Sequence, residues 1–151
     1  MPSANAASMS SIALWYRLFF LYIEPLATII GAYYAWYRQN DYLDMTYASA
    51  SAVSLGPSAR ESIVLNQLAN MYAVFALNEA LVLRSTTNLR VWRVFLFGLL
   101  LADFGHIYSV KDVGYDIYWQ FWDWNSMYWG NLGFVYVGAA TRIAFLTGLG
   151  V

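Results

Sequence analysis

The sequence predicts an all-α fold, an integral membrane four-helix bundle, and three observations lead there. Of 151 residues, 60% are hydrophobic and 11% charged, well under the roughly 25% charged of an ordinary soluble domain. Four stretches, 12–37, 62–84, 91–109 and 127–149, approach or exceed the roughly 20 residues a helix needs to cross a bilayer. Each of them carries an ionisable side chain, which lipid tolerates only when it is turned into a protein interior.

The remaining composition narrows the classes of function. The length fits one membrane domain, 12–150, after a small polar tail, 1–11, that lacks the positive start of a signal peptide. Net charge is −1 with scattered basic residues, so nucleic acid is not an expected partner. There is no cysteine, which removes disulfides, thiol catalysis and thiolate metal sites. The aromatic share, 19%, suits a chain with rings at both membrane interfaces.

The first span, Ile12 to Tyr37, is interrupted by Glu24-Pro25, and a proline there kinks the helix and opens space beside the acid. Arg17, Glu24, Thr28 and Gly31 follow at spacings of seven, four and three, on one face. The connection 38–61 contains Asp41 and Asp44, a solvated turn rather than a metal loop, then the small-residue run TYASASAVSLGPSARES with a Gly56-Pro57 turn. Ser58 or Ser62 caps the second span. In that span Gln67, Asn70, Val74 and Asn78 form a stripe expected to face other helices, and Glu79 is within reach of a structural pairing with Arg84.

Residues 85–90 form a tight turn flanked by Arg84, Arg90 and Arg93, placed in the cytosol by the excess of basic residues. The third span, VWRVFLFGLLLADFGHIYS, organises the chain. Asp103 and His106 lie three residues apart on one face, and Gly98 permits close helix approach. The connection 110–126, rich in Trp and Tyr, reads as an interfacial belt or, more sharply, as a lid over a lipophilic substrate's access route. The fourth span offers Gly130, Gly133 and Gly138 as a packing face, which would also serve a homodimer, and Asn131, Gly138 and Arg142 as a polar stripe. An unpaired cation there costs at least about 3 kcal/mol, so Arg142 is expected to find a carboxylate.

Four spans return both termini to the cytosolic side. Glu24, Glu79, Asp103, His106 and Arg142 then converge as candidate catalytic residues, with Asn78, Asn131, Tyr108 and Trp129 as candidate substrate-binding residues. Counting along the helices puts Glu24, Glu79 and Arg142 about 8–10 Å deep and Asp103 about 15 Å. Three acids around one arginine keep at least one carboxyl protonated while another is ionised, the pairing that general acid and base chemistry needs. Neither a phosphate-binding glycine loop nor a zinc motif is present, and no Ser-His-Asp set can be identified, although Ser109 is three residues from His106. No metal or organic cofactor is implied.

The segments FALNEALVLRSTTNLRVWR, LLLADFGHIYS and DWNSMYWGNLGFVYVGAATRIAFLTGLG resemble a family of small fungal four-helix membrane proteins over 12–150. That family includes the epoxide hydrolases and cyclases of aurovertin- and citreoviridin-type polyketide pathways. In architecture the chain is also similar to the sterol-isomerase and sigma-2-receptor superfamily, without residue-by-residue correspondence. The resemblance implies a membrane-embedded enzyme, in the endoplasmic reticulum, opening epoxides of a lipophilic polyketide-type substrate. The same buried acids suit two alternatives: a double-bond isomerase or terpene cyclase, and a non-catalytic sterol or lipid carrier.

Overall fold

The computed structural model describes residues 12–47 and 56–151, and these are helical without strands. The expected tail 1–11 and residues 48–55 of the small-residue run lie outside the described residues. Five helices follow in order: α1 (Leu14–Tyr37), α2 (Gln39–Thr46), α3 (Ala59–Ser85), α4 (Leu89–Ser109) and α5 (126–146).

Two helices, Leu14–Tyr37 and Leu89–Val113, are long and apolar enough to cross a membrane, each with mean hydropathy 1.4 over its best stretch. In α3 the charges at both ends and the amides between them dilute the apolar run; in α5 Asn131 and Arg142 do so.

Pro25 shapes α1. Proline has no N–H, so the Leu21 carbonyl loses its ordinary helical donor. Arg84 supplies one, its Nη2 donating to Leu21 O at 2.6 Å while the guanidinium lies 4.7 Å from the centre of the Tyr22 ring. The Glu79–Arg84 pairing expected from spacing is therefore absent. Just before Glu24, α1 widens into a π turn, Phe19–Ile23, and α5 does the same at Trp129–Gly133. Each inserts one residue into the helical register.

Local chemistry sets the helix starts. Ser58 and Glu61 form a reciprocal capping box at α3, with Glu61 N donating to Ser58 Oγ at 3.3 Å and Ser58 N to Glu61 Oε2 at 2.7 Å. Asn88 caps α4 by accepting from Arg90 N at 2.9 Å.

The described helices pack as two pairs, α1 against α3 and α4 against α5. One end is sealed by a core of Phe19, Phe20, Leu83, Trp92, Leu96 and Phe145, each at most 1% exposed. Phe145 meets Tyr16 edge-on at 5.2 Å and stacks on Trp92 at 5.8 Å. The described start and end of the chain join there: Ala13 N donates to Gly150 O at 3.2 Å and Tyr16 OH to Leu149 O at 2.6 Å. At the other end Ala35, Tyr42, Leu65 and Ala69 bury together, with Met127 against them.

Two packing expectations are corrected. Gln67, Asn70, Val74 and Asn78 face outward, because the buried side of α3 is Leu65, Ala69, Ala76, Glu79 and Leu83. A Cβ added at Gly98 or Gly130 would meet nothing within 4 Å, so neither mediates a close approach. Gly133 instead makes room for the Trp129 and Trp124 rings, and Gly138 for the Arg142 side chain. The 110–125 connection folds into short 3-10 turns held beside α4 and α5 by Tyr118 OH to Ile107 O (3.0 Å) and Tyr136 OH to Tyr118 O (3.2 Å).

Candidate active site

A cavity of about 470 Å³ lies between the two helix pairs, above the aromatic core. Arg142 of α5 projects into it and is 2% exposed. Gly138, one turn earlier, has no side chain in the way: a Cβ there would sit 2.9 Å from Arg142 Nη1. The guanidinium gathers acids from three other helices. Nη1 donates to Asp103 Oδ2 of α4 at 2.6 Å. Nη2 donates to Glu24 Oε1 of α1 and lies 3.9 Å from Glu79 Oε1 of α3. All four residues line the cavity. Asp103, expected to lie deeper than the other three by counting along the helices, is nonetheless in direct contact with Arg142.

The electrostatics follow from that count of charges. One cation faces three carboxyls, in a place where burying each ion costs several kcal/mol unless its partners are well placed. Glu24 and Asp103 satisfy the two terminal guanidinium nitrogens, while Arg142 Nε is buried without a hydrogen-bond partner. Glu79 is left at the margin, its Oε1 buried without a hydrogen-bond partner, as is Glu24 Oε2. The Glu24 and Glu79 carboxyls face each other. The guanidinium also lies 5.8 Å from the centre of the Phe20 ring, which closes the cluster against the core.

His106 lines the cavity one turn beyond Asp103, against the backbone of Asn131, with Nε2 buried and without a hydrogen-bond partner. Asn131 and Trp129 also line it, both from the π turn of α5. Among the described residues no group of three acidic or imidazole side chains is arranged to hold a metal ion, and the guanidinium occupies the place between the acids.

Two expected substrate contacts are corrected. Asn78 is exposed, because it neighbours inward-facing Glu79 in sequence and so lies about 100° round the helix. Tyr108 is also exposed; its hydroxyl takes a hydrogen bond from Lys111 Nζ at 2.9 Å. Of the 110–126 connection expected as a belt or a lid, only Ser126, already in the first turn of α5, lines the cavity, and the aromatic rings of the segment do not.

The outer end is closed instead by α2. Tyr42 lines the cavity there, its hydroxyl 3.2 Å from that of Tyr72, and Met45 lies beside it. Burial raises the pKa of the Tyr42 phenol, opposed by its contacts with Tyr72 and Asn131. Tyr34, Tyr42, Met45, Tyr72 and Phe75 are site residues that sequence reasoning missed. Tyr72 carried a signal, standing two turns before Glu79 on the same face. Tyr42 carried none, being brought in by tertiary packing of a short polar helix.

Lining residues reach the surface along both seams between the helix pairs. Phe75 and Ala102 do so between α3 and α4, Ile30 and Trp129 between α1 and α5. Beyond their connecting turn α3 and α4 barely touch.

These features define an all-helical protein with a buried ion cluster facing a predominantly apolar cavity. The chain belongs to the family described as a domain of unknown function (DUF7704), which matches residues 9–151. No curated protein and no solved structure matches it.

Proposed function

We propose that the protein is an integral membrane four-helix bundle, with α1, α3, α4 and α5 as spans, that opens and cyclises epoxides of a lipophilic polyketide-type substrate. The observation that carries the reading is the meeting of Glu24, Glu79 and Asp103, from three helices, around Arg142 of a fourth, at the wall of a cavity large enough for a small organic molecule. The resemblance to small fungal membrane epoxide hydrolases and cyclases supports the choice of substrate. The basic turn Arg84–Arg93 and the joined chain ends lie on the cytosolic side of the endoplasmic reticulum membrane. Lipid-soluble substrate reaches the cavity sideways, through the gap between α3 and α4.

Epoxide opening needs a proton delivered to the leaving oxygen and a proton taken from the attacking oxygen. Glu79, the acid least held by Arg142, donates to the epoxide oxygen as its C–O bond breaks. Asp103, on the opposite helix pair and fixed by Arg142, takes the proton from water or from an internal substrate hydroxyl as the new C–O bond forms. Glu24 faces Glu79 and passes the proton back between turnovers, so the enzyme ends as it began. Arg142 orients both carboxylates, and His106 and Asn131 hold the nucleophile. No cofactor takes part.

The aromatic walls, Tyr34, Phe75, Trp129 and Phe134, favour one second reading, a double-bond isomerase or terpene cyclase in which the same acid protonates an alkene and the rings shelter the cation. The test is conversion of a polyepoxide by purified protein in lipid nanodiscs with ¹⁸O-labelled water. Label in a diol product, lost in Glu79→Gln and Asp103→Asn, supports hydrolysis. An unlabelled cyclic ether, lost in the same variants, supports closure by an internal hydroxyl, whereas a shifted double bond or a new carbocycle without label favours the second reading. Full turnover in both variants overturns the mechanism.

A further inference from the structure

The face of α3 turned away from the bundle carries a second pattern. Ile63, Gln67, Asn70, Val74, Leu77 and Leu81 follow one another at spacings of four, three, four, three and four, and all are exposed. That is the 3.5-residue repeat by which two helices wind around each other in a left-handed pair. The amides of Gln67 and Asn70 stand opposite Leu65, Ala69 and Ala76, on which α3 packs within its own chain. In a membrane span they would point straight into hydrocarbon, where no water satisfies them. The outward faces of α1 and α4 have no such feature: Leu26, Ile29 and Tyr33 on one, Val94, Phe97 and Leu101 on the other.

We infer that the outward face of α3 is the contact surface of a homodimer, with the two α3 helices parallel and Gln67 and Asn70 each meeting its own copy across the two-fold axis. The occupant is a second copy because an amide is both donor and acceptor and so complements itself. Two chains inserted in the same direction also run α3 parallel, which a two-fold axis along the membrane normal requires. The stripe then faces another helix, although not one of its own chain. The contact leaves the gap between α3 and α4 uncovered, because Phe75 lies to one side of the repeat. This inference rests on the reading of α3 as a membrane span.

The absence of cysteine makes the test direct. Single cysteines would be placed on the repeat (Asn70→Cys, Leu77→Cys) and beside it (Val64→Cys, Met71→Cys), and native membranes oxidised with copper phenanthroline. Disulfide-linked dimer from the first two and not the second two is the expected result. Introducing Gln67→Leu and Asn70→Leu together should reduce cross-linking through Leu77→Cys about tenfold. Equal cross-linking at all four positions, or at none, would overturn the dimer. Met71→Cys also tests the premise: rapid labelling by a water-soluble maleimide places α3 outside the bilayer and overturns the span reading and the dimer together. Labelling only after denaturation, without selective cross-linking, overturns the dimer alone.

Discussion

Gly138 and Arg142 occupy successive turns of one helix face, and the guanidinium folds back across the glycine so closely that a Cβ would lie 2.9 Å from Nη1. The glycine is there for the arginine's path. Gly138→Ala should leave the helix intact, since alanine is the better helix former, yet displace the guanidinium from Asp103. A shift of about 1 Å in such a group costs about 10²-fold in rate. The check is turnover beside helical content by circular dichroism: the first falls and the second holds.

Arg142 and Glu79 separate stability from activity. Arg142→Met strands Glu24 and Asp103 without their cation, and breaking a buried pair costs about 3–5 kcal/mol. Thermal unfolding in detergent should show it. Glu79→Gln removes an acid that sits 3.9 Å from the guanidinium rather than in its grip. Its melting temperature should stay near that of the parent protein while turnover drops by about 10²–10⁴-fold.

The proline in α1 and the arginine in α3 should be coupled. Arg84→Ala leaves the Leu21 carbonyl without its side-chain donor, a loss of about 1.5–3 kcal/mol for a hydrogen bond to a charged group. In a Pro25→Ala background the helix regains a backbone N–H at that turn, and Arg84→Ala should cost much less. A double-mutant cycle on unfolding midpoints measures the difference; simple additivity would refute the coupling.

The capping box at α3 gives a pH dependence of definite sign. The Ser58 hydroxyl and amide hold the Glu61 carboxyl below its ordinary pKa. A group whose folded pKa is lowered contributes stability above its unfolded pKa and loses it as pH falls through the folded value. The first turn of α3 should therefore fray on acidification, read as a falling amide-exchange protection factor (observed against intrinsic rate) near Ser62, and Glu61→Gln should flatten that profile.

The exposed rings of the 110–125 connection should anchor rather than gate. Trp119, Phe121 and Trp122 are all more than half exposed and none lines the cavity. Trp119→Ser with Trp122→Ser should weaken insertion, seen as less flotation with liposomes, and leave turnover in detergent within about twofold. A large loss of turnover in detergent would restore the lid.

What the sequence disclosed follows one physical rule. A charge inside an apolar run must turn inward, so the sequence alone brings Glu24, Glu79, Asp103 and Arg142 to one place. The same rule misled for Gln67, Asn70 and Asn78, which face outward because the inward side of α3 is taken by Leu65, Ala69, Ala76, Glu79 and Leu83. Asn78 and Tyr108 stand near Glu79 and His106 along the chain, yet a helix turns adjacent residues apart. Tyr42 and Met45 come from a short polar helix whose position depends on packing between distant segments. The two π turns left no mark in residue type at all.

Those π turns make the cavity wall sensitive to residue number as well as residue type. Each inserts one surplus residue into its helix, at Phe19–Ile23 just ahead of Glu24 and at Trp129–Gly133 around the cavity-lining Asn131. Removing a single residue from 129–133 would yield a more regular rod, yet swing everything before it by about 100°. Trp124 and Met127 would leave their neighbours while Arg142 stayed put. A shortened chain could thus gain helical perfection and lose its binding surface, which makes single-codon deletion a sharper probe of this wall than any exchange of side chains.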